Sequence, residues 1–175
     1  EQAMPSVNRV ADLHADITEW RRDLHMHPEL QYDVHRTAGS VADKLKAFGC
    51  DDVVTGLGRT GVVGVIRGKK GGSGKTIGLR AGMDALPIEE ANDLPYKSTV
   101  PGKMHACGHD VHATWAIGAA HLLARDPARG DVLVVLQPAE EIGEGAAAIL
   151  QSGALDGARA IFGGHVDRRF EVGQI

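Results

Sequence analysis

The most constraining feature of the sequence is the run DVLVVL at residues 131–136, which is apolar at five consecutive positions. A strand with one face in water alternates apolar and polar residues, so a continuous apolar run predicts a strand buried on both faces. Short β-branched runs and stretches with helical apolar spacing alternate along the rest of the chain. They predict strands at 52–55, 60–67, 76–81 and 158–163, and helices at 7–27, 36–48, 110–125 and 144–152. This alternation predicts an α/β fold with a mainly parallel central sheet.

Composition and charge exclude several classes of protein. The 175 residues suffice for one compact domain, and a net charge of -4 with a sequence pI near 6.1 provides no basic surface for nucleic acid. There is no apolar run of transmembrane length and no signal-peptide core, and two cysteines, Cys50 and Cys107, do not make a disulfide framework. We therefore expect a cytoplasmic protein that binds neither nucleic acid nor membrane.

The segment HACGHDVH at residues 105–112 places three histidines and one cysteine within eight residues. Cys107 and His109 are separated by Gly108, which allows a sharp backbone turn. At the N-terminus of the following predicted helix, the helix dipole is expected to favour the thiolate form of Cys107. Thiolate and imidazole together suit zinc and neighbouring transition metals, whereas a single loop histidine is more often structural. The density of these side chains predicts a metal site.

Acidic residues follow the apolar strand directly, at Glu140 and Glu141. Unpaired charges are costly to bury, so adjacent carboxylates at a strand end indicate either an acidic helix N-terminus or a functional pair. In a functional pair, one glutamate binds a metal while its neighbour takes a proton from water and passes it to a leaving nitrogen. His165 and Asp84 also follow predicted strands, where ligands collect in open α/β sheets. Two roles stay open for Asp84: orienting a metal-bound histidine, or capping a turn.

Five stretches, in this order, resemble the M20 metallopeptidase superfamily, in particular its aminoacylase, hippurate-hydrolase and indole-acetyl-amino-acid-hydrolase branch. They are RRDLHMHPEL at 21–30, LRAGMDALPI at 79–88, HACGHD at 105–110, QPAEE at 137–141 and GHV at 164–166. The resemblance implies a three-layer α/β/α sandwich carrying an inserted lid domain that usually mediates dimerisation. It also implies a hydrolase that uses two divalent metal ions (zinc, manganese, nickel or cobalt) to cleave the amide bond of an N-acyl amino acid.

Carried over position by position, the resemblance also implies individual roles. The implied metal ligands are Cys107, His109, Glu141 and His165. The implied catalytic groups are Glu140, as the general base, and Asp84, as a supporting carboxylate. The loop at 95–105 would border the substrate cleft, whose further candidate residues are His105 and His112.

The sequence departs from the family pattern at two positions and in length. This branch usually has aspartate where the chain has Gly82, so one carboxylate beside the metal centre is absent, and Val111 stands where glycine is common. Family members also continue beyond the position of Ile175, through the lid and back into the catalytic domain. We therefore expect residues 1–175 to be the N-terminal portion of the catalytic domain, incomplete relative to the family and with impaired or no activity.

Three functional hypotheses remain. The first is an amidohydrolase acting on a small-molecule N-acyl amino acid or peptide substrate. The second is a non-catalytic metal-binding module that self-associates as a homo-oligomer, because an incomplete sheet exposes a strand edge and apolar surface. The third is a metallo-carboxypeptidase or dipeptidase of the same superfamily.

Overall fold

The computed structural model of the protein describes residues 6–69, 72–172 and 174. The helices are α1 (Ser6–Ala11), α2 (His14–Met26), α3 (His35–Ala47), α4 (His109–Arg125) and α5 (Gly145–Gln151). The strands are β1 (Asp52–Leu57), β2 (Gly61–Ile66), β3 (Thr76–Gly82), β4 (Asp131–Gln137) and β5 (Ala158–Phe162). The single helix expected at 7–27 is divided into α1 and α2, and the turn between them buries Leu13.

The five strands form one sheet in the order β1-β2-β4-β3-β5. The β1–β2 and β2–β4 pairs are antiparallel, whereas β3 pairs in parallel with both β4 and β5. The short turn between β1 and β2 forces them to be antiparallel, while the longer connections through α4 and α5 allow parallel crossovers. Because β1 and β4 both run opposite to β2, only β2 opposes the common strand direction. The α/β prediction is confirmed, and the sheet is mixed at its β1–β2 side.

Strand β4 explains the apolar run in the sequence, because its two faces contribute to two different cores. Val132, Val134 and Leu136 pack in the larger core beneath α2, α3 and α4. Leu133 and Val135 pack on the opposite face, against Ile149 of α5. The sheet is therefore the middle of three layers, as expected for an α/β/α sandwich. None of the helices in the described part of the chain has the length and apolarity needed to cross a bilayer.

Candidate metal centre

The predicted site residues lie together at one edge of the sheet. Asp84 follows β3, Glu140 and Glu141 follow β4, and His165 follows β5. These three strands are parallel, so their carboxyl ends share one edge. His109 reaches the same edge from the first position of α4, which packs on β3.

Two groups of potential metal-binding atoms meet at His109. In the first group, one ligand atom each from Cys107, His109 and His165 lies within 4.8 Å of the others. In the second, ligand atoms of His109, Glu140 and Glu141 lie within the same distance of one another. The combination of thiol sulfur, imidazole nitrogen and carboxylate oxygen fits zinc and neighbouring divalent transition metals. The fold thus brings all five residues into a single cluster whose donor chemistry suits a metal centre.

Both imidazoles in the cluster are oriented by backbone carbonyls. The Nδ1–H of His109 donates to the carbonyl oxygen of Asp84 at 2.7 Å, and its Nε2 lies 3.4 Å from Oε2 of Glu140. The Nδ1–H of His165 donates to the carbonyl oxygen of Val166 at 2.7 Å, and its Nε2 lies 3.3 Å from Sγ of Cys107. A bond at Nδ1 directs the Nε2 of each ring toward the cluster, where it can bind a metal once it carries no proton. Burial lowers the pKa of His109, but the bonds from Asp84 and the charges of Asp84 and Glu141 outweigh it and raise that pKa.

The carboxylate of Asp84 organises the turn that carries the two glutamates. Its Oδ1 accepts the backbone N–H of Glu140 and its Oδ2 accepts that of Glu141, both at 3.1 Å, whereas Nδ1 of His109 is 3.5 Å from Oδ1. Burial opposes ionisation, but the bonds from His109 and the two amides outweigh it and lower the pKa of Asp84. The preceding residue, Ala139, has a φ of 51°, a backbone conformation that is uncommon for residues other than glycine. The two hydrogen bonds to Asp84 help to hold the turn in this conformation.

The surroundings of Cys107 oppose the thiolate that its position suggested. Burial, followed by the nearby carboxylates of Glu141, Glu140 and Asp84, raises the pKa of Cys107 to about 11. The thiol precedes α4 by two residues, and the helix dipole amounts to only about half a charge against these carboxylates. The expectation of a thiolate is therefore wrong for the metal-free chain. The same excess of negative charge favours a bound divalent cation, beside which a coordinating thiol loses its proton.

His105 and His112 are both buried beside the cluster. The Nε2 of His112 accepts the backbone N–H of Val166 at 3.0 Å, and its ring centroid lies 4.5 Å from that of His165. The ring nitrogens of His105 are buried and have no hydrogen-bond partner among the described residues. Burial lowers the pKa of each ring to about 4, so both are neutral imidazoles near pH 7.

An open cleft runs along the Cys107 side of the cluster, with a volume of about 1180 Å³. Its wall includes residues from the turn before α4, from α4 itself and from the chain after β5: Cys107, Val111, Trp115, His165 and Phe170. The cleft is large enough to accept a small organic molecule next to the predicted metal ligands. His105 belongs to this wall, although its ring nitrogens are turned away from solvent.

Sequence reasoning missed a second, largely buried group of polar residues, two of which, Arg21 and Asp110, reach the wall of the cleft. It consists of Arg21 and His25 on α2, Glu90 in the loop after β3, and Asp110 on α4. Two of these residues, Arg21 and His25, belong to the stretch RRDLHMHPEL, for which the sequence alone indicates no chemical role. The partners of His25, Glu90 and Asp110, lie 65 and 85 residues away in the sequence, so no local pattern indicates the contacts. The motif was the only sequence signal that could have pointed to these residues.

Position 82 lies directly against the ring of His109. A Cβ atom at Gly82 would be 2.9 Å from Nδ1 of His109 and 3.0 Å from its Cγ and Cε1. The ring is 2% exposed and has little room to retreat. In this chain, the glycine therefore makes room for the ring orientation in which Nδ1–H bonds the Asp84 carbonyl.

We expect Gly82→Ala to displace His109, lowering the affinity for zinc about tenfold and the free energy of unfolding by about 1–3 kcal/mol. Zinc titration and urea denaturation measure the two effects. Gly39→Ala on α3 is the matched control, because a Cβ there meets nothing within 4 Å. Unchanged zinc affinity in Gly82→Ala would show that His109 tolerates the side chain.

The chain is similar to known proteins in both sequence and structure. Residues 78–175 match the family model described as peptidase family M20/M25/M40. The chain is 44% identical over 164 residues to hippurate hydrolase of Campylobacter jejuni, covering 93% of this chain and 42% of that protein. It is 43% identical over 171 residues to thermostable carboxypeptidase 1 of Saccharolobus solfataricus, covering 95% and 43% respectively. The chain thus spans less than half the length of these relatives.

The fold also matches solved structures of similar sequence. The YXEP protein of Bacillus subtilis, described as a dinuclear metal-binding peptidase from the M20 family, superposes with a TM-score of 0.84 at 41% identity. The match covers 90% of this chain and 44% of that one. The mixed sheet and its flanking helices are therefore the arrangement found in this dinuclear peptidase.

Proposed function

Because this chain belongs to peptidase family M20/M25/M40, we propose that it provides the metal centre of an amide hydrolase acting on N-acyl amino acids. The observation that carries the proposal is the pair of donor groups that meet at His109. One group offers sulfur and two imidazoles, and the other offers an imidazole and two carboxylates. A set of metal ligands with one carboxylate left beside it to act as a base is what a metal-dependent hydrolytic site requires.

We assign the metal-holding role to Cys107, His109, Glu141 and His165. A mixed sulfur, nitrogen and oxygen set accepts zinc, manganese, nickel or cobalt. Divalent ions bound there would supply Lewis acidity toward a substrate carbonyl and toward water. The two histidines would bind through Nε2, since Nδ1 of each is occupied by a backbone carbonyl.

Glu140 is assigned the proton transfers. Its side chain is 38% exposed, compared with 17% for Glu141, so Glu140 is the more accessible of the two to water and substrate. Its Oε2 would take a proton from the attacking water and then deliver it to the nitrogen that leaves the amide. Asp84 holds the backbone of both glutamates and so keeps this carboxylate beside His109.

The leading substrate class is a small N-acyl amino acid, as the name of the hippurate hydrolase relative indicates for that enzyme. The carboxypeptidase relative supports a second candidate, the release of a C-terminal residue from a peptide. Both reactions cleave an amide next to a free carboxylate, and a panel of N-acyl amino acids and dipeptides separates them. A cytoplasmic location is part of the proposal, since the two cysteines Cys50 and Cys107 are both free thiols.

We expect Glu140→Gln to lower hydrolysis of N-acyl amino acids by at least about 100-fold, because glutamine has no carboxylate to move the proton. Zinc content per chain should stay unchanged, since Glu140 is not among the assigned ligands. The measurement is made on a full-length protein that contains this chain. It is amine release from N-acetyl and N-benzoyl amino acids after loading with zinc or manganese, with metal content determined on the same samples.

Glu144→Gln serves as the control, because Glu144 is exposed and lies only three residues beyond the assigned ligand Glu141. Hydrolysis by Glu140→Gln equal to that by Glu144→Gln would overturn the assignment of the base. Retained zinc without any hydrolysis in a full-length protein that contains this chain would instead favour the hypothesis of a non-catalytic metal-binding module.

A further inference from the structure

His25 lies between two buried carboxylates, behind the metal cluster. It belongs to the last turn of α2 and is 3% exposed. Its Nδ1 lies 2.8 Å from Oδ2 of Asp110, and its Nε2 lies 3.1 Å from Oε1 of Glu90. Nη2 of Arg21, which can only donate, also lies 3.4 Å from Nδ1, but the 2.8 Å contact of Nδ1 with Asp110 is much shorter. Both ring nitrogens therefore act as donors to carboxylate oxygens, which is the hydrogen-bonding pattern of an imidazolium.

The surrounding charges balance only if His25 carries its proton. Nε of Arg21 lies 2.8 Å from the same Oδ2 of Asp110, so two basic and two acidic groups form one buried network. His105 and Tyr96 complete the immediate surroundings with uncharged rings. The bond to Asp110 raises the pKa of His25, although burial opposes the charge. A neutral His25 would leave one negative charge uncompensated inside the protein, which is costly.

Each carboxylate bound by His25 anchors a segment that reaches the metal cluster. Asp110 is the second residue of α4 and follows His109 directly. Glu90 fixes the long loop between β3 and α4, because its Oε2 accepts the backbone N–H of Ser98 at 2.7 Å and its Oε1 accepts Nδ2 of Asn92 at 3.2 Å. The imidazole therefore joins the beginning of this loop to the helix at its end, and Cys107 lies between the two anchors.

We propose that His25 is a positioning residue of the metal centre: by bridging Asp110 and Glu90, it sets the placement of Cys107 and His109 for metal binding. This role rests on the proposed metal centre. His25 touches neither the metal cluster nor the cleft, so it acts only through the residues that it holds. Outer partners of metal ligands affect metal affinity because they hold the ligands in the binding geometry.

The test compares His25→Gln with His27→Gln, using zinc alone as the probe. His27 lies at the end of the same helix and its side chain is 35% exposed. Among the described residues its ring bonds only to Asp23 of the same turn, so it is a matched substitution outside the network. We expect the zinc dissociation constant, measured by competition with a chelator at pH 7, to rise about tenfold in His25→Gln and to stay unchanged in His27→Gln. Melting temperatures without zinc show how much stability each variant loses.

A second readout does not depend on metal binding. Amide hydrogen exchange at residues 105–112 of the zinc-free protein should be faster in His25→Gln than in His27→Gln. Equal exchange at these residues in the two variants overturns the positioning role, whether or not the unmodified chain binds zinc. Failure of the unmodified chain to bind zinc would by itself contradict only the proposed function. A lower melting temperature with unchanged zinc affinity likewise overturns it, because His25 would then only stabilise the fold.

Glu90→Gln provides an independent variant should His25→Gln fail to fold. It keeps the bond between His25 and Asp110 but removes the charge that holds the loop. We expect it to weaken zinc binding about threefold, as a partial loss of the same network. Zinc affinity equal to that of the unmodified chain would overturn the proposal.

Discussion

His109→Asn is expected to weaken zinc binding by about three orders of magnitude, the largest loss of affinity from any single substitution in this chain. His109 is the assigned ligand common to both groups of donor atoms, and its Nε2 is the single atom that it offers to a metal, so its loss removes one ligand at the centre of the cluster. The binding free energy of structural zinc in small domains with four protein ligands is about 10–16 kcal/mol. About a quarter of that free energy, the share of one ligand, corresponds to a loss of about three orders of magnitude in affinity.

Asparagine separates the two functions of the ring. Its amide N–H can replace Nδ1–H as the donor to the carbonyl oxygen of Asp84, a bond of 2.7 Å in the structure. It offers nothing at the place of Nε2, which lies 3.4 Å from Oε2 of Glu140. The substitution should therefore remove the metal ligand while preserving much of the local backbone arrangement, so the affinity loss is not a consequence of unfolding.

His121→Asn is the control, because His121 lies on the same helix and packs on Phe48, away from the cluster. Competition titration with a chelator gives the two dissociation constants, and circular dichroism shows whether both variants remain folded. Zinc binding by a folded His109→Asn within tenfold of the unmodified affinity would mean that the metal is held elsewhere, and the assignment of this cluster would fail.

The sequence permitted a good prediction of where the site residues meet. Asp84, Glu140, Glu141 and His165 each follow a strand, and parallel strands end at a common edge. The buried run at 131–136 also predicted the central strand, since only a strand with two covered faces is apolar throughout. Short-range patterns of this kind depend on residues that are neighbours in the chain.

The antiparallel pairing of β2 with β4 and the network around His25 could not be predicted in the same way. Strand order depends on which surfaces pack best over long separations, and no local pattern records it. In the sequence, His25 is one polar residue at the end of a predicted amphipathic helix. Its contacts with Glu90 and Asp110 form only in the folded chain. The thiolate expected for Cys107 was wrong for the metal-free chain, because the carboxylates that raise its pKa, beside burial, follow other strands.

Asp84→Asn is expected to lower the free energy of unfolding at pH 7 by about 3 kcal/mol, the largest stability effect of a single polar substitution here. Asp84 is fully buried and accepts backbone N–H groups with both carboxylate oxygens. An asparagine turns its amide nitrogen toward one of these N–H groups, so two donors face each other and one backbone amide loses its partner. Urea denaturation at pH 7 measures the loss, with exposed Asp93→Asn as the control.

The pH dependence tests the cause of this loss. The pKa of Asp84 in the folded protein lies below its ordinary value of 3.8, so folding favours the ionised carboxylate. The contribution of the ionised Asp84 to the free energy of unfolding is therefore fully present above pH 3.8. It is lost as the pH falls through the lower pKa that Asp84 has in the folded protein. Burial lowers the pKa of His109, but the bonds and charge of Asp84 outweigh it and raise that pKa, a contribution to stability that is present below about pH 6.5 and lost as the pH rises. We therefore expect the stability difference between the unmodified chain and Asp84→Asn to be larger at about pH 5 than at about pH 7, and to narrow below about pH 4. A difference that stays constant down to the acid limit would show that packing, and not the charge on Asp84, holds the turn of Glu140 and Glu141.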